Sequence, residues 1–100
     1  MEDYRHLQQL FGAWFHQDWA LEAPDWQGVL RLYTDENPRH EVSAVVRDLE
    51  VLLAAPYSDS ELEHKLINEF GCCYTPRPDI GGPSWRQWLI ELRTALAANE

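Results

Sequence analysis

Between residues 42 and 53 the apolar side chains fall at Val42, Val45, Val46, Leu49, Leu52 and Leu53, a 3-1-3-3-1 rhythm that only an α-helix gathers onto one face. A stripe of that length has to be covered by other elements. No segment alternates with period two over strand length, so nothing calls for a sheet. The other apolar rows are helical as well. Tyr4, Leu7, Phe11, Trp14 and Phe15 form one, widened by Leu10. Trp26, Val29, Leu30 and Tyr33 form a second. Leu62, Leu66, Ile67 and Phe70 form another, and Trp85, Trp88, Leu89, Leu92 and Leu96 the last.

The residues between these rows act as stops and starts. Pro24 suits the first turn of the second helix, with Asp25 beside its N-terminal dipole, while Gly28 costs that helix about 1 kcal/mol relative to Ala. Asn37-Pro38 predicts an N-cap followed by proline at the first helical position, and Pro56 follows the end of that helix. Ser58 with Glu61, and Ser84 with Gln87, have the spacing of capping boxes. Gly71 is placed to close the fourth helix in the left-handed conformation. From Cys72 to Pro83, three prolines and two glycines predict an ordered loop. The expected architecture is all-α: one domain over residues 1–100, a compact bundle of about five helices with a single Pro/Gly-rich loop before the last.

Charge narrows the range of partners. Seventeen acidic against eight basic side chains give a net charge of −9, with ten acids in the first half and seven in the second. An acidic chain repels phosphate backbones, so nucleic acid is not an expected ligand, whereas a basic protein is. No apolar run approaches the ~20 residues of a membrane span, so no membrane partner is expected. Met1-Glu2-Asp3 is acidic, no signal-like apolar segment follows, and Cys72 and Cys73 are adjacent and not spaced as a disulfide framework. These features point to a cytoplasmic protein with reduced thiols.

Catalytic and cofactor chemistry find little footing. Cys72 has no base that the sequence locates, and His16 and Asp18, two apart, would point to different sides of a helix. His40-Glu41 opens like a zincin motif, but Ala44 stands where the second histidine belongs. Gly81-Gly82 lack the lysine of a phosphate-binding loop. No enzyme, metal or cofactor is expected. Trp14, Trp85 and Trp88 lie on apolar rows and read as core, each needing an acceptor for its indole N–H, with His16, Gln17 and Asp18 near enough in sequence to form a polar clamp. Trp19 and Trp26 are open to a second reading as partly exposed interface anchors.

The segment Leu10-Phe11-Gly12-Ala13-Trp14-Phe15-His16-Gln17-Asp18-Trp19, together with Tyr74, Pro76, Gly82, Ser84, Trp88 and Leu89, resembles the pattern of contact-dependent growth inhibition immunity proteins. Trp14 stands where that family often carries Tyr. The resemblance spans most of the chain, although the middle matches only in helical character. It implies an all-helical cytoplasmic inhibitor that binds the C-terminal toxin domain of a cognate effector, many such toxins being nucleases and basic where they hold RNA or DNA. It also implies that Trp14, Phe15, His16, Gln17, Asp18, Trp19, Tyr74, Pro76, Gly82, Ser84, Trp88 and Leu89 are scaffold.

Recognition is then expected on acidic outer faces. Asp35, Glu36, Glu41 and Asp48 surround the start and outer face of the third helix, and Asp59, Glu61 and Glu63 lie on the first turn of the fourth. Because Glu41 and Asp48 fall off the apolar stripe, reversing both to Lys is expected to leave the fold intact. Two other readings are a ligand- or metal-binding helical module built on the aromatic–His–Asp segment, and an adaptor for some other basic protein.

Overall fold

The computed structural model describes residues 4–16, 21, 25–74, 76 and 81–98. Its helices are α1 (Arg5–Trp14), α2 (Trp26–Glu36), α3 (Arg39–Ala54), α4 (Asp59–His64), which runs into a π-helical turn (Lys65–Glu69), and α5 (Trp85–Ala97). No strand occurs among the described residues. The fold is all-α, and none of its described helices is long and apolar enough to cross a membrane.

The predicted stripes converge on one core. Leu7, Leu10, Phe11 and Phe15 meet Val29, Leu30 and Tyr33 from α2, then Val42, Val45, Val46, Leu49 and Leu52 from α3. Trp85, Trp88, Leu89, Leu92 and Leu96 from α5 join them, with Leu62, Leu66 and Phe70 from α4 and the turn after it, and α3 against α5 is the most extensive helix pairing. Trp88 sits at the centre and is 0% exposed. Its ring stacks on Tyr74 at 4.6 Å and meets Phe11, Phe15, Trp26 and Trp85 at 5.9, 5.8, 6.0 and 6.1 Å between centroids. Edge-on and offset contacts of this kind add roughly 0.5–1.5 kcal/mol each beyond the area they bury. Trp26 is half-buried, with one side packed against the core and the rest still exposed. Trp14 is also half-buried, at the margin of the core.

The junction between α1 and the loop after the π turn joins the two ends of the sequence motif. Gly71 has φ +74°, the left-handed stop expected of it, and an added Cβ would lie 3.8 Å from the Gly12 Cα. The Cys73 amide then donates to the Phe15 carbonyl at 2.8 Å, pinning the loop to the end of α1. Tyr74 and the buried Pro76 follow, and Tyr74 reaches Trp88.

Several local expectations are corrected. Asn37 does not cap α3: Pro38 occupies that position without a side-chain cap, and the Asn37 side-chain Nδ2 instead donates to the Tyr33 carbonyl of the preceding helix at 2.9 Å. The second helix starts with Asp25 as N-cap, its carboxylate accepting from the Gly28 amide at 2.8 Å, while Pro24 lies outside the described residues. Ser84 accepts from the Gln87 amide, but Gln87 turns to Glu91, so only half of the second capping box is present. The fourth helix widens after His64, with the Phe70 amide donating to the Lys65 carbonyl five residues back. A turn closed that way takes more residues per revolution. Leu66 and Phe70 stay buried while Ile67, expected in the core, swings out to 39% exposure.

Trp88→Ala should destabilise the fold by about 3–5 kcal/mol, because the void would open where five aromatic rings converge. Urea denaturation followed by circular dichroism measures it, and a loss below about 1 kcal/mol would contradict the central role of this ring.

Candidate functional site

A short helix leaves its first amides without partners, and carboxylates are the natural acceptors because the same end carries positive partial charge. That demand decides where most of the acidic candidates go. The Asp48 carboxylate accepts from the Leu7 amide at 3.1 Å and so caps α1 from another helix. Glu41 takes a hydrogen bond of 2.8 Å with His6 Nδ1. The expected outward placement of these two acids is corrected: both are half-buried and engaged with α1.

The second acidic cluster is engaged in the same way. Asp59 accepts from the Trp85 and Arg86 amides at 3.1 and 3.0 Å, capping α5 together with Ser84. Arg86 returns the bond to the far side of the junction, donating to the Leu53 and Tyr57 carbonyls at 2.9 and 2.8 Å. Glu63 accepts from the Trp85 indole N–H at 3.3 Å. Glu61 closes the predicted capping box, and the Ser58 amide, then its hydroxyl, holds its carboxyl below the usual range. A depressed pKa in the folded state favours folding above the ordinary carboxylate range, and that contribution fades as pH falls through the folded value.

Asp35 and Glu36 differ from these five. They lie exposed at the last turn of α2 and line a groove of about 570 Å³ together with Trp14 and Leu32. Leu32 is 38% exposed, an apolar wall beside two carboxylates. Trp14 meets Tyr33 edge-on at 5.8 Å, and burial, then the Glu41 charge, push the Tyr33 hydroxyl up to about 12, so it stays protonated behind the groove. A smaller hollow of about 300 Å³ lies along α4 and the π turn, lined by Tyr57, Ser60, Glu61, His64, Lys65 and Glu69. There the Lys65 ammonium stands over the Tyr57, Tyr4 and Phe70 rings at 5.4, 5.5 and 5.7 Å and pairs with Glu69 at 3.3 Å.

The motif residues divide between the core and its margin. Phe15, Pro76, Trp88 and Leu89 are buried; Trp14, His16, Tyr74 and Ser84 are half-buried; Gly82 is exposed. Gln17, Asp18 and Trp19 lie outside the described residues, which leaves His16 alone of the expected clamp in view; contrary to the expectation for every core indole, the buried Trp88 N–H meets no acceptor among the described residues. Among the described residues no three His, Cys, Asp or Glu side chains gather as a metal would require. Burial, above all, pushes the Cys72 thiol up to about 12, whereas Cys73 is exposed. Sequence reasoning missed the caps made in trans by Asp48 and Asp59; their only signal was a carboxylate opposite a helix start, which spacing along the chain does not encode.

These assignments carry two expectations. Asp59→Ala and Asp48→Lys should each lower stability by about 1–2 kcal/mol, the range for losing an N-cap, as measured by chemical denaturation. With the native protein at neutral pH, iodoacetamide should label Cys73 and spare Cys72 until the chain unfolds, as read by peptide mass spectrometry.

The chain matches the family described as CdiI immunity protein over residues 3–96. It is also similar to a chain of the crystal structure of a CdiA-CT/CdiI complex from Y. kristensenii 33638. That likeness has a TM-score of 0.84 and 25% identity, covering 93% of this chain and 97% of that one. No curated protein is matched.

Proposed function

The chain belongs to the CdiI immunity protein family, and from that membership we propose that it binds the C-terminal toxin domain of a contact-dependent growth inhibition effector and neutralises it by association alone. The observation that carries this reading is the likeness over nearly the full length of both chains to a chain of a toxin–immunity complex. Inhibition of this kind needs no catalytic group and no cofactor, only a surface that excludes the toxin's substrate.

The finer reading is that the toxin is a nuclease and that the encounter takes place in the cytoplasm. A nuclease is basic where it holds its substrate, and a chain of net charge −9 complements that surface while repelling nucleic acid itself. Attraction between opposite charges speeds association and is screened by salt over about 10 Å at 0.1 M.

The test is titration of the chain into the cognate effector's toxin domain, with toxin activity and complex formation followed together. Stoichiometric loss of activity, with an association rate that falls as ionic strength rises, is the expected result. A wild-type chain that forms no complex would refute the immunity reading. A toxin domain that binds the chain but leaves both RNA and DNA intact would remove only the nuclease assignment.

A further inference from the structure

We propose that the groove between the end of α1 and the outer edge of α2 receives an arginine-bearing basic segment of the toxin domain, an inference that rests on the immunity reading above. Five of the seven candidate carboxylates accept hydrogen bonds within the fold: Glu41, Asp48, Asp59, Glu61 and Glu63. Asp35 and Glu36 take no hydrogen bond or ion pair from the described residues, and both line the groove. Among the described residues, they are the acids that the fold leaves over.

Their position on the helix is an independent argument. Two carboxylates in the last turn of α2 face the negative end of its dipole, and no basic residue in that turn offsets them. The arrangement costs helix stability. A rule broken locally without a compensating contact inside the fold marks a place where function sets the sequence. A bound cation would be attracted by the carboxylates and by the dipole at once.

The lining also selects the kind of cation. Trp14 and Leu32 give the groove an apolar wall, and Trp14 is held edge-on against Tyr33. A guanidinium is flat, weakly hydrated, stacks on an indole and pairs with carboxylates through a fork of donors, whereas an ammonium is compact and strongly hydrated. The groove's 570 Å³ leaves room for the residues flanking such an arginine.

The experiment measures the dissociation constant of the cognate effector's toxin domain with the wild-type chain and with Asp35→Asn/Glu36→Gln. A control of equal charge change at a distance is Glu69→Gln/Glu91→Gln. The groove pair should weaken binding about 30-fold or more, mostly through faster dissociation, while its thermal midpoint stays level or rises; the control pair should stay within about threefold. Trp14→Phe should retain more affinity than Trp14→Leu, as stacking requires. Equal loss in both charge pairs would reduce the groove to one part of a diffuse field and overturn the proposal. So would an unchanged affinity of the groove pair, or a Leu variant that binds as well as the Phe variant. Self-association of the free chain that the groove pair abolishes, seen by sedimentation, would place a second copy there and overturn it too. A wild-type chain that does not bind the toxin domain removes the immunity reading itself and the groove's occupant with it, whereas wild-type binding with an indifferent groove removes the groove alone.

Discussion

Short helices have many ends, and meeting the amides at those ends ties this protein's helices to one another around the apolar core. α1 is ten residues long and α4 six before it widens, so much of their backbone lies in a first or last turn. Asp48, Asp25, Ser58 with Glu61, and Ser84 with Asp59 answer the N-termini of α1, α2, α4 and α5 in turn. Arg86 serves the carboxyl end of α3 from the first turn of α5. Where a cap comes from another helix it also fixes the distance and angle between the two. Capping and tertiary assembly are then one event.

The parts of this plan that were legible in the sequence are those whose partners lie within four residues. The stripe from Val42 to Leu53, the Ser58–Glu61 box and the left-handed Gly71 depend on local spacing, and each occurs where its spacing placed it. What spacing hides is a partner supplied from elsewhere in the fold. Asp48 and Leu7 are 41 positions apart, and Asp59 and Trp85 are 26. In the sequence both aspartates fall off an apolar stripe and so look like surface charge. Asn37 illustrates the same limit in reverse: it precedes a helix, yet its side chain completes the one before. The π turn was equally hidden, since nothing in Lys65-Leu66-Ile67-Asn68-Glu69 distinguishes it from the helix it continues until Ile67 is seen outside the core.

The two segments that carry the family resemblance meet because of backbone as much as side chains. The left-handed turn at Gly71 brings the end of the π turn against α1 beside Gly12, and the hydrogen bond from Cys73 to Phe15 fixes that approach. Tyr74 is thereby delivered onto Trp88, whose other neighbours come from α1, α2 and the start of α5. Phe15, Pro76, Trp88 and Leu89 are buried and have no surface to offer a partner. The buried part of the signature closes the bundle, while Trp14 stays half-buried at its margin.

On the groove proposal, recognition falls to what assembly leaves unused. A net charge of −9 read from composition suggests a broadly acidic exterior, but several of those charges are already matched to helix dipoles, to His6, to Arg93 or to the Trp85 indole. Removing one of them disturbs the fold and the surface together, so such positions are poorly suited to adjustment toward a new partner. Asp35 and Glu36 carry no such obligation among the described residues, and their charges oppose the dipole of the helix that bears them. Substitution there breaks no hydrogen bond or ion pair among the described residues. An edge that can change without loosening the core is where a small inhibitor could be matched to one partner, and on the groove proposal the division between engaged and disengaged carboxylates among the described residues draws that edge along the end of α2.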